Sequence, residues 1–271
     1  MLALQSSNPV LANEHLGQVM QEAEAAPNTA TVVGVINKTS ILVGAAVVAG
    51  AIAYSMTSAN PGLAVLFWGA SGLVSLVLFF TLWRKPAVSA PVAFIYSIAQ
   101  GCFLGSLSFQ LESILVARGL STAAGGLALQ AFVVTAGVTL ATLALYRAGI
   151  LRPTKMFNAI VTSLVGGIAV VYLISFILSF FNIQMPFISI GSALEGGTPA
   201  LIGLGLNAAI LVVAALTLVM DFGQIEAAVE HRAPKSMEWF LSFGLVVTLA
   251  WIYYEALKMV FRVALLFGER K

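Results

Sequence analysis

Apolar residues in this chain form seven long runs, and the polar and charged residues are concentrated between them. The runs span residues 40–56, 62–83, 91–112, 122–146, 156–182, 199–220 and 239–267. Most reach the roughly 20 residues that an α-helix needs to cross a bilayer, and the first is marginal in length. Because the runs are continuous rather than alternating, they predict helices and exclude a β-barrel. The predicted fold class is an all-α, polytopic membrane protein with seven transmembrane helices.

Composition agrees with this class. The chain has 271 residues, of which 60% are hydrophobic and 9% are charged, whereas a soluble domain carries roughly 25% charged residues. We therefore expect a lipid bilayer around residues 40–271 and a polar N-terminal tail over residues 1–39. No basic stripe is present, which excludes nucleic acid as a partner.

The distribution of Lys and Arg predicts the orientation, because cytoplasmic loops carry an excess of both. Seven of these residues lie in the connectors after the second, fourth and sixth runs, and one lies in the connectors after the first, third and fifth. The seven are Arg84, Lys85, Arg147, Arg152, Lys155, Arg232 and Lys235, and the single one is Arg118. This pattern predicts a cytoplasmic N-terminus and, with seven spans, a C-terminus outside the cell.

Enzyme signatures are missing from the sequence. Both histidines, His15 and His231, fall outside the apolar runs, and neither an HExxH nor a GxSxG motif occurs. A metalloprotease or serine hydrolase would lack its ligands or its base. An aspartyl protease needs two aspartates, and this chain has only Asp221. We expect a protein that is not an enzyme and needs no cofactor.

Two acidic residues are the best candidates for a functional site. Asp221 ends the sixth run and Glu255 lies inside the seventh. Two carboxylates brought together at low dielectric do not both ionise easily, so they would share a proton and titrate as a unit. Such a pair can sense pH and can hold calcium through its oxygen atoms. The alternative is that Asp221 only marks the membrane interface at the end of its helix.

A polar stripe on the seventh run supports the importance of Glu255. Its members recur every three or four residues and so share one face of a helix. They are Thr248, Trp251, Glu255, Lys258 and Arg262. Such a face should meet protein or water, which predicts that the seventh helix is central in the bundle. The alternative is a local Glu255–Lys258 pair with Arg262 extending outward to the interface.

Sequence alone leaves open whether the two acids meet. If the seventh helix entered the membrane at Trp239, Glu255 would lie about 24 Å deeper at 1.5 Å per residue, too far from Asp221. If the first two turns projected into the cytoplasm, the acids could meet. Gln100, which precedes the small-residue stretch GCFLG, is a further candidate for lining a pore, together with Lys258 and Arg262.

The stretch MDFGQIEAAVEHRAPKSMEWFLSFGLVVTLAWIYYEALKM resembles the C-terminal signature of the transmembrane Bax inhibitor motif family. It is most similar to the bacterial branch, which has a longer connector between helices 6 and 7. The segments SNPVL, NKTSILV, GCFLGSLS and YRAGILRPTKMF extend the resemblance over nearly the whole chain, from about Ser7 onward.

The resemblance implies a bacterial inner-membrane protein with helix 7 enclosed by the other six. It also implies a pH-sensitive calcium leak gated by two acids, which the motifs MDFGQI and IYYEAL place on Asp221 and Glu255. An arginine latch on the first acid falls on Arg84 in LWRKP. The chain departs from the family in carrying Glu as its second acid. Gly223 and Gln100 also stand where relatives often carry acids, which would weaken calcium binding.

Two functions follow as expectations. The leading one is a pH-sensitive, calcium-permeable leak channel gated by Asp221 and Glu255, with Arg84 as the latch. The rival is a non-conducting regulator. It would use its cytoplasmic tail to bind either other membrane proteins or a membrane-anchored quality-control protease. Convergence of Asp221, Glu255 and Gln100 on one cavity would favour the channel.

Overall fold

The computed structural model describes residues 29–84, 88–120, 126–181, 183, 185, 187–194 and 196–268. Most of the predicted tail therefore lies outside the described residues, and so does Lys85. The backbone of Arg84 is described but its side chain is not, so its contacts lie outside the description as well.

Seven long helices account for most of the described chain, and each is long and apolar enough to cross a membrane. They are α1 (Val32–Ala59), α2 (Leu63–Arg84), α3 (Ala90–Ala117), α4 (Gly126–Arg147), α5 (Lys155–Ser179), α6 (Gly197–Glu230) and α7 (Met237–Phe267). A single helical turn, Gly191–Leu194, precedes α6. The predicted all-α fold with seven membrane-spanning helices is confirmed.

The first helix begins earlier than its apolar run. The side chain of Thr31 accepts a 2.9 Å hydrogen bond from the Gly34 amide and so caps α1, which starts at Val32 rather than at residue 40. The polar residue Lys38 lies within the helix because it forms an ion pair with Glu238 of α7. The helix therefore reaches eight residues into the segment assigned to the tail.

Helix α7 is the centre of the bundle, as predicted. It packs against α1, α3, α4 and α6. Three apolar clusters form the core, and each includes residues of α7: Phe261 in the first, Ile252 in the second and Val246 in the third. The outer helices present many of their large apolar side chains to the surroundings, as lipid-facing helices do.

Close packing of α1 on α3 supports this core. A Cβ atom added at Gly101 would meet the Ala46 carbonyl oxygen, and one added at Gly105 would meet that of Gly50. Small residues let two membrane helices approach until their backbones are in contact. Helices α1 and α3 therefore pack closely against each other on one side of α7.

The start of α1 lies beside the connector between α6 and α7. The Ala30 amide donates a 2.7 Å hydrogen bond to the Ala233 carbonyl, and Thr29 forms an isolated β-bridge with Pro234. The N-terminal segment thus shares one end of the bundle with basic Arg232 and Lys235. Which end faces the cytoplasm remains a prediction from the loop charges.

Candidate functional site

Asp221 lies within the α6–α7 interface rather than at the end of its helix. Helix α6 continues for nine residues beyond it, to Glu230, which is about 13 Å at 1.5 Å per residue. The side chain is partly buried, and its Oδ2 accepts a 2.6 Å hydrogen bond from Thr248 Oγ1 of α7. Both helices project past Asp221, so its carboxylate faces protein and not only the interface.

Glu255 is fully buried, and side chains from three helices bind it. Tyr172 of α5 donates a 2.6 Å hydrogen bond to Oε1. Asn207 of α6 donates from Nδ2 to Oε2 at 2.6 Å and to the Glu255 main-chain carbonyl at 3.2 Å. Lys258, one turn further along α7, places Nζ 2.8 Å from Oε2. The carboxylate is therefore paired and well supplied with donors, as a buried charge requires.

The ammonium group of Lys258 is enclosed as well as paired. Its side chain is 4% exposed, and Nζ donates a 2.8 Å hydrogen bond to the Tyr172 hydroxyl. Nζ also lies 5.0 Å from the ring centroid of Tyr172 and 4.6 Å from that of Tyr254. Both distances are within the range of a cation–π interaction. The aromatic rings and the carboxylate thus surround the charge.

Arg262 lies one turn beyond Lys258 and is 2% exposed. Its Nη2 donates to the carbonyls of Phe187 and Ser189, at 3.1 and 3.0 Å, in the connector between α5 and α6. Nη1 packs against Gly203 of α6, where a Cβ atom would collide with it, and it has no hydrogen-bond partner among the residues that the structure describes. The Glu255–Lys258 pair of the local alternative is present, but Arg262 turns inward rather than extending to the interface.

The two acids share the α6–α7 interface but do not touch. Thr248, the partner of Asp221, precedes Glu255 by seven residues, which is about 10 Å along α7. Among the residues that the structure describes, no hydrogen bond joins the two carboxylates. A shared proton between them therefore stays a prediction, and it requires a rearrangement of this interface.

The charge around Glu255 is unbalanced. One carboxylate, Glu255, faces two buried cations, Lys258 and Arg262. In the described part of the chain, Arg262 forms no ion pair with a carboxylate. The same described residues contain no group of three or more His, Cys, Asp or Glu side chains able to hold a metal ion. A calcium ion at Glu255 would have to compete with its lysine.

Two cavities adjoin α7. One of about 10 Å³ lies between α5, α6 and α7 and touches Asn207, Lys258 and Arg262. The other, of about 300 Å³, lies between α3 and α7, and its residues are Tyr96, Gln100, Phe103, Leu104, Val247, Ala250, Trp251 and Tyr254. Gln100 lines this larger cavity and donates a 2.9 Å hydrogen bond to Ser75. Asp221 and Glu255 line neither of these two cavities, so neither cavity shows the expected convergence of the two acids with Gln100.

Two members of the Glu255 cluster carry no functional assignment from the sequence. Tyr172 is a single tyrosine in an otherwise apolar run, and Asn207 is one of several isolated amides in the spans. Their partners lie 83 and 48 residues away along the chain. Periodicity within one helix cannot reveal contacts between helices. The role of these two residues as partners of Glu255 is therefore recognised only in the folded structure.

A second ion pair, with a buried carboxylate, joins α1 to the start of α7. Glu238 is fully buried and accepts hydrogen bonds from the Thr31 amide at 3.0 Å, from the Thr31 hydroxyl at 3.2 Å, and from Lys38. Gly34 makes room for this carboxylate, since a Cβ atom there would overlap it. The N-terminal segment is therefore coupled directly to the helix that carries Glu255.

Comparisons with known proteins give one match. Neither the search of curated proteins nor the search of solved structures found a similar chain. A family model described as Bax inhibitor 1 like matches residues 8–264. That range includes six of the seven spans in full, all but the last three residues of α7, and every residue of the site. The match and the seven-helix fold agree with the resemblance carried by the α6–α7 segment, and the chain belongs to the Bax inhibitor 1 like family.

Proposed function

We propose that this protein is a pH-sensitive, calcium-permeable leak channel, and that the conformation described above is a closed one. The observation that carries the proposal is the buried ionisable face of α7, with Glu255, Lys258 and Arg262 all at most 4% exposed. Ionisable groups inside membrane helices are costly, and they mark ion pathways and proton relays. Membership of the Bax inhibitor 1 like family supports the same function.

In this proposal Asp221 is the acid closer to the cytoplasm and Glu255 is the deeper one. The two acids are the pH sensor and the candidate calcium ligands. Asp221 has a neutral donor, Thr248, and no described cation within ion-pair distance. Arg84 ends α2 and serves as the latch that holds Asp221 while the channel is closed. Gln100, Lys258 and Arg262 line the route when it opens.

Two effects of protonation oppose each other in this mechanism. Protonating Asp221 removes the charge that attracts Arg84, which favours opening. It also removes the negative charge that a calcium ion needs for binding, which slows permeation. The direction of the pH response depends on which effect is larger. In either case the response requires the Asp221 carboxylate.

Calcium flux into liposomes, measured across pH with purified protein, tests the proposal. Asp221→Asn keeps the shape of the side chain and deletes its titration, so we expect a flattened pH profile. The matched control is Glu226→Gln, which removes an exposed carboxylate from the same helix; its amide can still accept the hydrogen bond from Tyr146. A wild-type pH profile in Asp221→Asn would contradict the mechanism.

One observation favours the second candidate, a non-conducting regulator. The Glu255 carboxylate is already neutralised by Lys258. In that case the partners are membrane proteins, or a membrane-anchored quality-control protease, bound through the N-terminal tail. Absence of calcium flux from the wild-type protein at every pH would select this function.

For either function we propose a non-enzymatic protein without a cofactor. Its location is the inner, plasma membrane of a bacterial cell, with the N-terminus in the cytoplasm and the C-terminus outside. The sequence supports this orientation through the excess of Lys and Arg in the connectors after α2, α4 and α6.

A further inference from the structure

We infer that Lys258 is a tethered cation, which occupies the Glu255 carboxylate and keeps a permeant cation away from it. The inference deepens the proposed leak, since it names the residue that closes the deeper of the two acids. It does not require conduction, because occupancy of a carboxylate can be measured by equilibrium binding.

The position of the ammonium group is the first argument. Nζ lies 2.8 Å from Glu255 Oε2 and 2.8 Å from the Tyr172 hydroxyl oxygen. A calcium ion on this carboxylate would sit about 2.3 to 2.6 Å from the same oxygen atoms. The ammonium and the metal ion would therefore need the same space, and only one can be present.

The rest of the carboxylate is also closed to a cation. Oε1 accepts from the Tyr172 hydroxyl and Oε2 accepts from Asn207 Nδ2, both at 2.6 Å. These partners present hydrogen atoms, not lone pairs, to the carboxylate. A metal ion would gain oxygen ligands there only after Lys258 leaves and the Tyr172 and Asn207 side chains turn.

The retention of Lys258 is the second argument. Its side chain is 4% exposed, and Nζ lies between the rings of Tyr172 and Tyr254. A buried ion pair with good geometry is strongly destabilised by the loss of one partner. Lys258 therefore stays on Glu255 until a change in the packing of α5 or α6 around it releases the pair.

Arg262 also helps to exclude a permeant cation from the Glu255 carboxylate. It carries a second buried positive charge four residues further along α7, so an incoming divalent cation meets two positive charges and one negative charge. Asp221 has no described cation within ion-pair distance. The two acids are thus unequal: the described partner of Asp221 is a neutral hydroxyl, and Glu255 is occupied by the protein's own lysine.

The test is calcium binding to purified protein in detergent, measured by titration calorimetry and by the calcium-dependent rise in the thermal unfolding temperature. Lys258→Met has a similar length and no charge. Removing one positive charge from a position against the carboxylate should raise the apparent calcium affinity by about tenfold or more. Adding Glu255→Gln to Lys258→Met should abolish the gain. Equal calcium affinity in wild type and in folded Lys258→Met would overturn the inference.

A second variant keeps the test decisive if Lys258→Met does not fold. Lys258→Gln also removes the charge, and a gain in calcium affinity is expected from it, smaller than that of Lys258→Met because its amide can still donate to Glu255. The outcomes also separate the inference from the proposed function. A gain in binding without wild-type flux would uphold the tethered cation and reject the leak. Wild-type flux without a gain in binding would do the reverse.

Discussion

The hydroxyl of Thr248 donates a 2.6 Å hydrogen bond to the carboxylate of Asp221, and this bond crosses the interface between α7 and α6. It is the only side-chain hydrogen bond of Asp221 among the residues that the structure describes. Glu255, by contrast, has three described side-chain partners.

The first prediction concerns this bond. Thr248→Val keeps the shape of the side chain and removes the donor, so the partly buried Asp221 loses this hydrogen bond. The free energy of unfolding should fall by about 1 to 3 kcal/mol, measured by denaturant titration in detergent. Thr248→Ser, which keeps the hydroxyl, should retain most of the stability. Equal losses in the two variants would mean that packing of the methyl group, not the hydrogen bond, is what matters.

The second prediction concerns the latch. If Arg84 holds Asp221 in the closed state, Arg84→Ala should raise calcium flux in liposomes at the pH where the wild-type protein is most closed. The physical reason is the loss of the charge that attracts the carboxylate. Arg147→Ala, at the end of α4 on the same side of the bundle, is the matched control and should change flux little. Equal effects of the two variants would remove the latch from the mechanism.

The third prediction concerns the Lys38–Glu238 pair between α1 and α7. Lys38→Met leaves Glu238 buried without its counter-charge, which should lower the free energy of unfolding by up to about 3 kcal/mol. The loss should be smaller than for a fully buried pair, because the Lys38 side chain is 19% exposed. The double variant with Glu238→Gln should be more stable than the sum of the single losses predicts. Additive losses would show that the pair is not coupled.

The fold was largely predictable from the sequence, because the bilayer requires long apolar helices and these are visible as continuous runs. The helix ends were less predictable. Helix α1 can start at Val32 because Lys38 pairs with Glu238, 200 residues away. Helix α6 continues past the charged residue Asp221 to Glu230. A hydropathy pattern contains no information about such partners.

The candidate site was predictable only in part. The spacing of Glu255, Lys258 and Arg262 on one helix face indicates their burial, and the structure confirms it. The environment of each acid depends on side chains from other helices, such as Tyr172 and Asn207. The sequence therefore predicts which α7 residues are buried together and offers the Glu255–Lys258 pair as one alternative. It does not predict that Asp221 pairs with Thr248.

The fourth prediction concerns topology. After the single cysteine, Cys102, is replaced by serine, a cysteine at position 232 should react with a membrane-impermeant reagent only from the cytoplasmic side. A cysteine at position 118 should react only from outside. The reason is that basic connectors are retained in the cytoplasm. Labelling of position 232 in intact cells would reverse the orientation proposed for the protein.

The last prediction compares two glycines of α6 that lie two residues apart. A Cβ atom at Gly203 would collide with Arg262 Nη1, whereas a Cβ atom at Gly205 would meet no atom within 4 Å. Gly203→Ala should therefore push the guanidinium away from the carbonyls of Phe187 and Ser189. Because those bonds belong to a buried charged group, the free energy of unfolding should fall by about 1.5 to 3 kcal/mol.

Gly205→Ala is the matched control, since it makes the same chemical change on the same helix. It should be neutral or should stabilise the protein by roughly 0.5 to 1 kcal/mol, the gain of alanine over glycine within a helix. Thermal unfolding of the two variants in detergent checks both values. If Gly203→Ala were as stable as Gly205→Ala, Arg262 would have room to move, and its inward position would not be fixed by the packing of α6 on α7.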